Sequence, residues 1–273
     1  MTNRREVICT ERKNFHTHTI FCDGKNNAEE TVLKAIEKGF SVLGFSGHSY
    51  TFFDGSYCMT EDGTLQYIKE VKRLREKYRG EIRIYLGLEA DFFAENIDFD
   101  AYDFIIGSVH YLKLGGEFIP VDHTAECQRE TADRFFGGSF DKYCEAYYEL
   151  VADVAEKTHA DLIGHFDLVT KFNDADCLFS TETPAYIGAW RSAADVLIRR
   201  GIPFEINTGA IARGRRKTPY PSHDIAKYIS DNGGSLVYSS DCHDAEMLDC
   251  EYEKCMALYG DCRIVDFEKL IKK

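Results

Sequence analysis

Short apolar runs alternate with longer amphipathic stretches along most of the chain. The apolar runs have the length of strands buried on both faces, and they lie at residues 40–45, 82–88, 104–109, 161–164, 202–206 and 235–239. The stretches between them place apolar residues at helical spacing and predict helices over 26–38, 65–80, 141–158, 183–200, 222–232 and 245–259. A last short strand is predicted near 263–265. This alternation, repeated about seven times, predicts an α/β fold with a parallel sheet.

Two long polar segments interrupt the alternation. Residues 49–63 and 112–138 contain glycines and no sustained apolar repeat, so both are predicted to be loops. A loop as long as the second is more often a lid or a binding loop than a simple connection. No internal repeat or proline-rich linker divides the chain, and we predict a single domain over residues 1–273. Closure of the parallel sheet into a TIM-like barrel accounts for this length.

Histidines and acidic residues are concentrated near the ends of the predicted strands. His16 and His18 stand one residue apart, and because strand side chains alternate between two faces, both would point to the same side. The full set of candidate ligands is His16, His18, Asp23, His48, Glu89, His110, His165, Asp241 and His243. In a barrel the strand ends meet at one face, so the fold would bring these distant positions together.

Each candidate has an ordinary alternative interpretation. Glu89 could be a surface carboxylate, and His110 and His165 could be core histidines with satisfied hydrogen bonds. Six of the nine histidines belong to the set, and the three outside it are His123, His159 and His223. The joint occurrence of the nine candidate ligands at strand ends favours one shared site over nine unrelated side chains.

Six imidazoles and three carboxylates are too many ligands for one ion, so we predict two to three divalent metal ions. A mixture of histidine and carboxylate ligands accepts zinc, iron or manganese, and Glu89 could bridge two of the ions. Closely spaced metals acidify a bound water and stabilise in-line displacement at phosphorus, which favours hydrolysis of a phosphate ester. The chain contains neither a Gly-x-Ser-x-Gly elbow nor a Walker loop, which excludes serine-hydrolase and P-loop interpretations.

Composition narrows the range of partners. The net charge of −13 argues against binding to nucleic acid or an anionic membrane, while a metal cluster could still attract a small phosphate ester. No apolar stretch reaches the roughly 18 residues of a membrane span, and the first residues lack the apolar core of a signal peptide. Ten scattered cysteines without a Cys-x-x-Cys pair suggest reduced thiols and a cytoplasmic protein. A homodimer is possible, but the sequence does not decide the oligomeric state.

Seven short motifs resemble those of the PHP (polymerase and histidinol phosphatase) superfamily and occur in the family's order. They are His16-Thr17-His18, Asp23-Gly24, Gly47-His48, Gly87-Leu88-Glu89, Gly107-Ser108-Val109-His110, Gly164-His165-Phe166-Asp167 and Ser240-Asp241-Cys242-His243. Glu205-Ile206-Asn207-Thr208-Gly209 and Tyr220-Pro221-Ser222 make the PHP-type histidinol-phosphatases the most similar branch.

The resemblance implies a distorted (β/α)7 barrel with a trinuclear metal site. By analogy with the family, one metal would be held by His16, His18, Glu89 and Asp241; a second by Glu89, His110 and His165; and a third by Asp23, His48 and His243. The implied activity is hydrolysis of L-histidinol phosphate to L-histidinol and phosphate in histidine biosynthesis, with a metal-bound hydroxide attacking phosphorus.

Substrate contacts are predicted from the loops. Arg213, Arg215 and Arg216 follow the strand that ends at Asn207; Arg213 is the first candidate for holding phosphate, although the three could equally form a solvated basic loop. Asn207 would either bind substrate or fix the strand end. Tyr111, directly before the second long segment, and Asp122 within it are predicted to contact the imidazole or amine of histidinol.

Two other functions share the same ligand set. The first is a PHP phosphoesterase acting on a nucleotide, a sugar phosphate or phosphotyrosine, and only the loops at 49–63, 112–138 and 210–221 would distinguish it. The second is a non-catalytic metal-binding or polymerase-accessory domain. The complete ligand set and the lack of a second domain argue against that second alternative.

Overall fold

A nearly closed barrel of seven parallel strands forms the centre of the computed structural model, which describes residues 11–271. The described residues form nine strands, which in chain order are β1 (Arg12–Asn14), β2 (Phe40–Phe45), β3 (Arg83–Asp91), β4 (Phe104–Ser108), β5 (Tyr111–Leu114), β6 (Glu117–Pro120), β7 (Leu162–Ile163), β8 (Phe204–Asn207) and β9 (Leu236–Ser239). The barrel runs β1-β2-β3-β4-β7-β8-β9 with every neighbouring pair parallel. Beyond its two edge strands, Thr17 bridges Cys242, which nearly closes the sheet. The predicted (β/α)7 barrel is confirmed.

Helices connect the barrel strands. The described residues contain eight α-helices: α1 (Ala28–Glu37), α2 (Glu61–Lys77), α3 (Ala125–Phe136), α4 (Phe140–Thr158), α5 (Pro184–Arg200), α6 (Gly209–Ala212), α7 (His223–Asp231) and α8 (Tyr252–Leu258). The start of α1 shows why the sequence predicts the beginning of this helix. The Asn27 side chain accepts a hydrogen bond from the Glu30 amide at 2.9 Å, and the Glu30 carboxylate accepts one from the Asn27 amide at 3.1 Å. This reciprocal cap fixes the first turn.

The largest part of the core lies between the barrel, α4 and α5. The aromatic stripe of α4 is buried there, with Tyr143, Tyr147 and Tyr148 each 1% exposed. Tyr148 also lies 3.3 Å from the hydroxyl of Tyr186 on α5. The stripe therefore serves packing, as its helical spacing suggested.

An apolar plug fills the barrel interior toward the amino-terminal ends of the strands. The rings of Phe15, Phe104 and Phe267 meet edge to face at centroid distances of 5.0 to 5.7 Å. Gly87 of β3 leaves the space for Phe104, since a Cβ there would lie 2.2 Å from the ring. In the part of the chain that the structure describes, the plug therefore fills this end of the barrel with buried apolar side chains.

The prediction of a loop over residues 112–138 is wrong. Strands β5 and β6 form an antiparallel hairpin, and helix α3 follows after Thr124, whose side chain accepts a hydrogen bond from the Cys127 amide at 3.0 Å. The helix escaped notice because its buried face consists of Gln128, Thr131 and Ala132, which give no apolar repeat.

Smaller corrections concern the two ends of the described chain. The predicted helix over 245–259 is broken into a 3₁₀ turn at Ala245–Met247 and α8, separated by Glu251 with φ of 55°. The predicted strand near 263–265 is reduced to a single bridge between Leu236 and Ile264. Strand β1 ends before His16, so the His-x-His pair follows the strand rather than lying on it.

Some expectations concern segments or states that the structure does not test. The prediction for the first residues falls on 1–10, and part of the single-domain prediction falls on 1–10 and 272–273, which lie outside the described residues. Among the helices that the structure describes, none combines the length and the apolar character needed to cross a membrane. The single domain over 1–273, a cytoplasmic location and a homodimer stay predictions.

Candidate metal centre

The nine predicted ligands meet at the carboxyl-terminal end of the barrel. Each follows a barrel strand or, in the case of Glu89, lies near the end of β3. Glu89 is 1% exposed and occupies the middle of the group. Its Oε2 lies 3.0 Å from His16 Nε2 and 2.9 Å from His48 Nδ1, while its Oε1 lies 2.9 Å from His165 Nε2 and 3.3 Å from His110 Nε2. His18 Nε2 lies 3.4 Å from Oε2 as well, so one carboxylate faces five imidazoles from four strand ends.

The remaining ligands lie to one side of Glu89. His18 Nε2 is 3.2 Å from Asp241 Oδ1, and its ring stacks on that of His243 with centroids 4.0 Å apart. His243 Nε2 is in turn 3.1 Å from Asp23 Oδ2. Three overlapping groups have all their ligating atoms within 4.8 Å of one another: His16, His18 and Asp241; His18, Asp23, His48 and His243; and His48, Glu89 and His110. The predicted set is therefore brought together as a single cluster.

The atoms at the centre of the cluster suit a cation. His16 Nε2, His18 Nε2 and Glu89 Oε2 are fully buried, and no hydrogen bond reaches any of them. His16 Nε2 and Glu89 Oε2 are 3.0 Å apart but are not aligned for a hydrogen bond, as expected for two ligands directed at a common point. Buried polar atoms without partners are costly, and a metal ion would satisfy all three.

The charges in the cluster are also those of a metal site. Burial, assisted by the neighbouring His243 and His48 rings, lowers the pKa of His18 to about 3, so that its imidazole is neutral and free to act as a ligand. Burial alone would raise the pKa of Asp241, but the Arg213 guanidinium holds that pKa well below its usual range. At neutral pH the cluster therefore offers the neutral imidazole of His18 beside the ionised carboxylate of Asp241.

A second layer of carboxylates supports the imidazoles, and the sequence analysis gave it no role. Glu205 Oε1 lies 2.6 Å from His16 Nδ1, and Asp91 Oδ2 lies 3.2 Å from His110 Nδ1. Contacts of this kind fix which ring nitrogen carries the proton and leave the other free for a metal. The available signal was strand alternation, since Asp91 follows Glu89 by two residues on β3 and so shares its face.

The cluster forms one wall of a cavity of about 320 Å³. Arg213 lines this cavity; it donates a hydrogen bond to Asp241 Oδ2 at 3.1 Å, and its Nη1 lies 2.9 Å from His243 Nδ1. Arg215 lines the cavity as well. Arg216 does not: its side chain is buried, contacts Thr170 and lies over the ring of Tyr220. Of the three predicted arginines, only two can meet a ligand in the cavity.

The other predicted substrate contacts also divide into residues that line the cavity and one that does not. Tyr111 and Asp122 line the cavity, where the Tyr111 hydroxyl donates to Asp54 Oδ2 at 2.7 Å and Asp122 pairs with Lys171 at 2.8 Å. Asn207 is fully buried and lies outside the cavity lining, so its prediction as a substrate contact is not supported. Its amide donates to Glu205 and accepts from the Gly209 amide, and it therefore fixes the end of β8.

Several cavity residues were missed by the sequence analysis. They come from the loops after β2 and β7 and from the segment after β6, and they are Asp54, Ser56, Tyr57, His123, Lys171 and Phe172. None has a motif or periodicity of its own, because loop side chains reach the cavity only through the tertiary fold.

A parallel barrel with a buried histidine and carboxylate cluster at its carboxyl end defines the class of the protein: a (β/α) barrel with a candidate metal centre in an open cavity. A model of the PHP domain family matches residues 14–209, which is more than half of the chain. The protein belongs to the PHP family.

Similar proteins share one name. The chain is 31% identical over 242 residues to "Probable histidinol-phosphatase" of Deinococcus radiodurans, covering 84% of this chain and 85% of that protein. It is 25% identical over 264 residues to histidinol-phosphatase of Bacillus subtilis, covering 89% and 97% respectively.

Two solved structures share the fold. HisK of Listeria monocytogenes superposes with a TM-score of 0.76 at 24% identity, over 89% of this chain and 99% of that one. Histidinol phosphate phosphatase of Lactococcus lactis, solved with zinc, L-histidinol and phosphate, superposes with a TM-score of 0.65 at 21% identity, over 93% and 95%.

Proposed function

We propose that this protein is a histidinol-phosphatase, which hydrolyses L-histidinol phosphate to L-histidinol and phosphate in histidine biosynthesis. The observation that carries the proposal is the buried cluster around Glu89, which forms one wall of a cavity that also contains cations and further carboxylates. The relatives named histidinol-phosphatase support the choice of substrate.

The cluster would hold two to three divalent metal ions, with zinc, iron or manganese as candidates. His16, His18, Asp23, His48, Glu89, His110, His165, Asp241 and His243 are the proposed ligands. Metals bound there would polarise the phosphoryl oxygens and supply an acidified water. Glu89 would act as the shared ligand because both of its oxygens face imidazoles.

Arg213 and Arg215 are proposed to hold the phosphoryl group. A guanidinium can donate two parallel hydrogen bonds to phosphate, and Arg213 already lies beside Asp241 and His243 at the edge of the cluster. Its contacts leave it at the boundary between the proposed metal ligands and the open cavity. A phosphate bound against the cluster would therefore be within its reach.

Other residues of the cavity lining suit a cationic leaving group. Asp54 and Asp122 line the cavity together with Tyr111, and the Lys171 ammonium neutralises only part of this negative charge. Carboxylates placed there would attract the amine or the protonated imidazole of histidinol. A nucleotide or a sugar phosphate offers no cation at that end, so the charge distribution favours histidinol phosphate over those esters.

The test is phosphate release from L-histidinol phosphate, measured beside nucleotide, sugar and aryl phosphates with metal content assayed on the same sample. We expect selective turnover of histidinol phosphate, which is lost in His110→Ala because that ring contacts both Glu89 and Asp91. Equal or faster turnover of another ester would replace the substrate while keeping the chemistry. No turnover of any ester by metal-loaded protein would contradict the hydrolase itself and favour a non-catalytic PHP domain.

A further inference from the structure

We propose that Glu205 is a positioning residue of the metal centre, which fixes His16 in the one tautomer that can bind a metal. Glu205 lies on β8, is fully buried and is outside the proposed ligand set. The inference rests on the metal centre of the proposed function, and it does not depend on which ester is hydrolysed.

Both carboxylate oxygens of Glu205 act as hydrogen-bond acceptors. Oε1 lies 2.6 Å from His16 Nδ1, while Oε2 accepts from the His165 backbone amide at 2.9 Å and from the Asn207 side chain at 2.8 Å. The Asn207 amide cannot turn freely, because its Oδ1 accepts a hydrogen bond from the Gly209 amide at 2.9 Å. One carboxylate therefore connects two histidines of the cluster to the end of β8.

These contacts determine the proton on His16. With Nδ1 donating to Glu205, the lone pair of Nε2 is free, and Nε2 is the atom that faces Glu89 without a hydrogen bond. A neutral imidazole carries one proton, so a proton on Nδ1 and a ligating Nε2 require each other. Loss of the acceptor at Glu205 Oε1 would remove this preference.

The isosteric substitution Glu205→Gln cannot reproduce the arrangement. If the glutamine NH₂ replaces Oε2, it faces two N–H donors, from His165 and Asn207. If it replaces Oε1, His16 Nδ1 must become an acceptor, and the proton moves to Nε2, which can then no longer bind a metal. Either orientation disturbs the site although the volume of the side chain is unchanged.

Asp167 offers a matched control. Its carboxylate is also buried, two residues after His165, but Oδ2 accepts only from the Ser222 amide at 3.1 Å and Oδ1 has no hydrogen-bond partner. In Asp167→Asn the oxygen can keep the contact with Ser222 while the NH₂ takes the unpartnered position. The same loss of a buried charge is thus made without a clash of donors.

The experiment titrates zinc into metal-free wild type, Glu205→Gln and Asp167→Asn, and measures zinc per chain by mass spectrometry together with the zinc-induced shift in Tm. We expect zinc affinity to fall about 10- to 100-fold in Glu205→Gln, the range typical of lost outer-shell partners. Asp167→Asn should stay within about twofold of wild type, since its hydrogen bond is retained. Zinc affinity in Glu205→Gln within twofold of wild type, or an equal loss in both variants, would overturn the proposal.

A double variant covers the case in which Glu205→Gln does not fold. In Glu205→Gln with Asn207→Asp, the glutamine NH₂ donates to the new carboxylate while its oxygen accepts from His16 Nδ1, at constant net charge. The His165 amide still faces the NH₂ group, so the recovery is expected to be partial. Folding with partial recovery of zinc binding supports the proposal, and failure to fold or to bind zinc overturns it. Zinc binding needs no ester, so this result is separate from the test of the substrate.

Discussion

The two ends of the barrel differ in whether their polar groups have partners, although the same strands form both ends. At the amino-terminal end, charges are paired: Lys13 Nζ lies 2.9 Å from Asp266 and 2.7 Å from Glu268, and Arg83 Nε lies 2.6 Å from Glu268. Above them the phenylalanine plug excludes water. At the carboxyl-terminal end, buried nitrogens and oxygens converge without hydrogen-bond partners. One end holds the fold together, and the other is incomplete until a ligand arrives.

The difference between the two ends indicates which parts of the protein contribute to stability and which contribute to function. Burying polar groups without partners costs free energy, so the carboxyl-terminal cluster should destabilise the metal-free chain. A bound ligand stabilises the folded chain by a free energy that grows with the logarithm of the ligand concentration relative to the dissociation constant. Substitutions at the amino-terminal end should therefore change mainly stability, and substitutions at the carboxyl-terminal end should change mainly activity.

The largest effect is expected from Glu89→Gln. Because Glu89 faces five imidazoles, we expect phosphatase activity to fall about 10⁴-fold or more, equivalent to about 5 kcal/mol. The metal-induced rise in Tm should shrink as well, because the variant loses the carboxylate that the other ligands face. Kinetics and calorimetry with and without a chelator measure both effects.

Glu117→Gln, at the exposed first residue of β6, is the control for Glu89→Gln and should change neither activity nor the metal-induced shift in Tm. A Glu89→Gln protein that keeps full activity and full metal content would show that Glu89 is not a shared ligand.

The next effect concerns the plug. Phe104→Ala removes a ring that contacts Phe15 and Phe267, and we expect the free energy of unfolding to fall by about 3–5 kcal/mol. Activity at a temperature where the variant is folded should stay close to wild type, because the ring lies away from the cluster. Urea unfolding and kinetics at 15 °C measure the two quantities. Leu65→Ala, at a residue 67% exposed, is the control and should have little effect on stability.

Arg213→Lys should have a smaller effect, confined to catalysis. Lysine keeps the charge but loses the forked donors, so we expect kcat/KM to fall about 10- to 100-fold with little change in Tm. Arg216→Lys sharpens the contrast, because that side chain is buried against Tyr220 and contacts Thr170, and it should lower Tm with KM unchanged. The reverse result, with KM changed only by Arg216→Lys, would exchange the roles of the two arginines.

Sequence patterns were sufficient where the relevant information is local. The apolar run of β2 and the histidine three residues after it predict a strand and a ligand at its end, and strand after strand repeats this. The family resemblance grouped the ligands, and the structure adds that Glu89 lies among five histidines, which are His16, His18, His48, His110 and His165.

Sequence patterns failed where tertiary contacts decide. Helix α3 buries Gln128 and Thr131, whose polar side chains hide the helical repeat. For Asn207 the sequence left open substrate binding and fixing of the strand end, and its hydrogen bonds with Glu205 and Gly209 favour the second role. Lys171 enters the cavity only because the loop after β7 folds toward Asp122. Such contacts join residues far apart in sequence, and no local pattern encodes them.

The smallest effect should appear in the acid stability of the amino-terminal end. Burial would raise the pKa of Glu268, but hydrogen bonds from Arg83, Lys13 and Tyr85 outweigh it and lower this pKa to about 2. A carboxyl with a depressed folded-state pKa contributes stability above its unfolded pKa of about 4.3, and the contribution is lost as pH falls from there toward 2. Glu268→Gln should therefore cost about 1–2 kcal/mol at pH 7, after allowance for the half-exposed Arg83, and almost nothing at pH 2. Urea unfolding of metal-free protein between pH 2 and 7 measures this, and a wild-type curve parallel to that of the variant would show that the ion pairs at this end do not stabilise the fold.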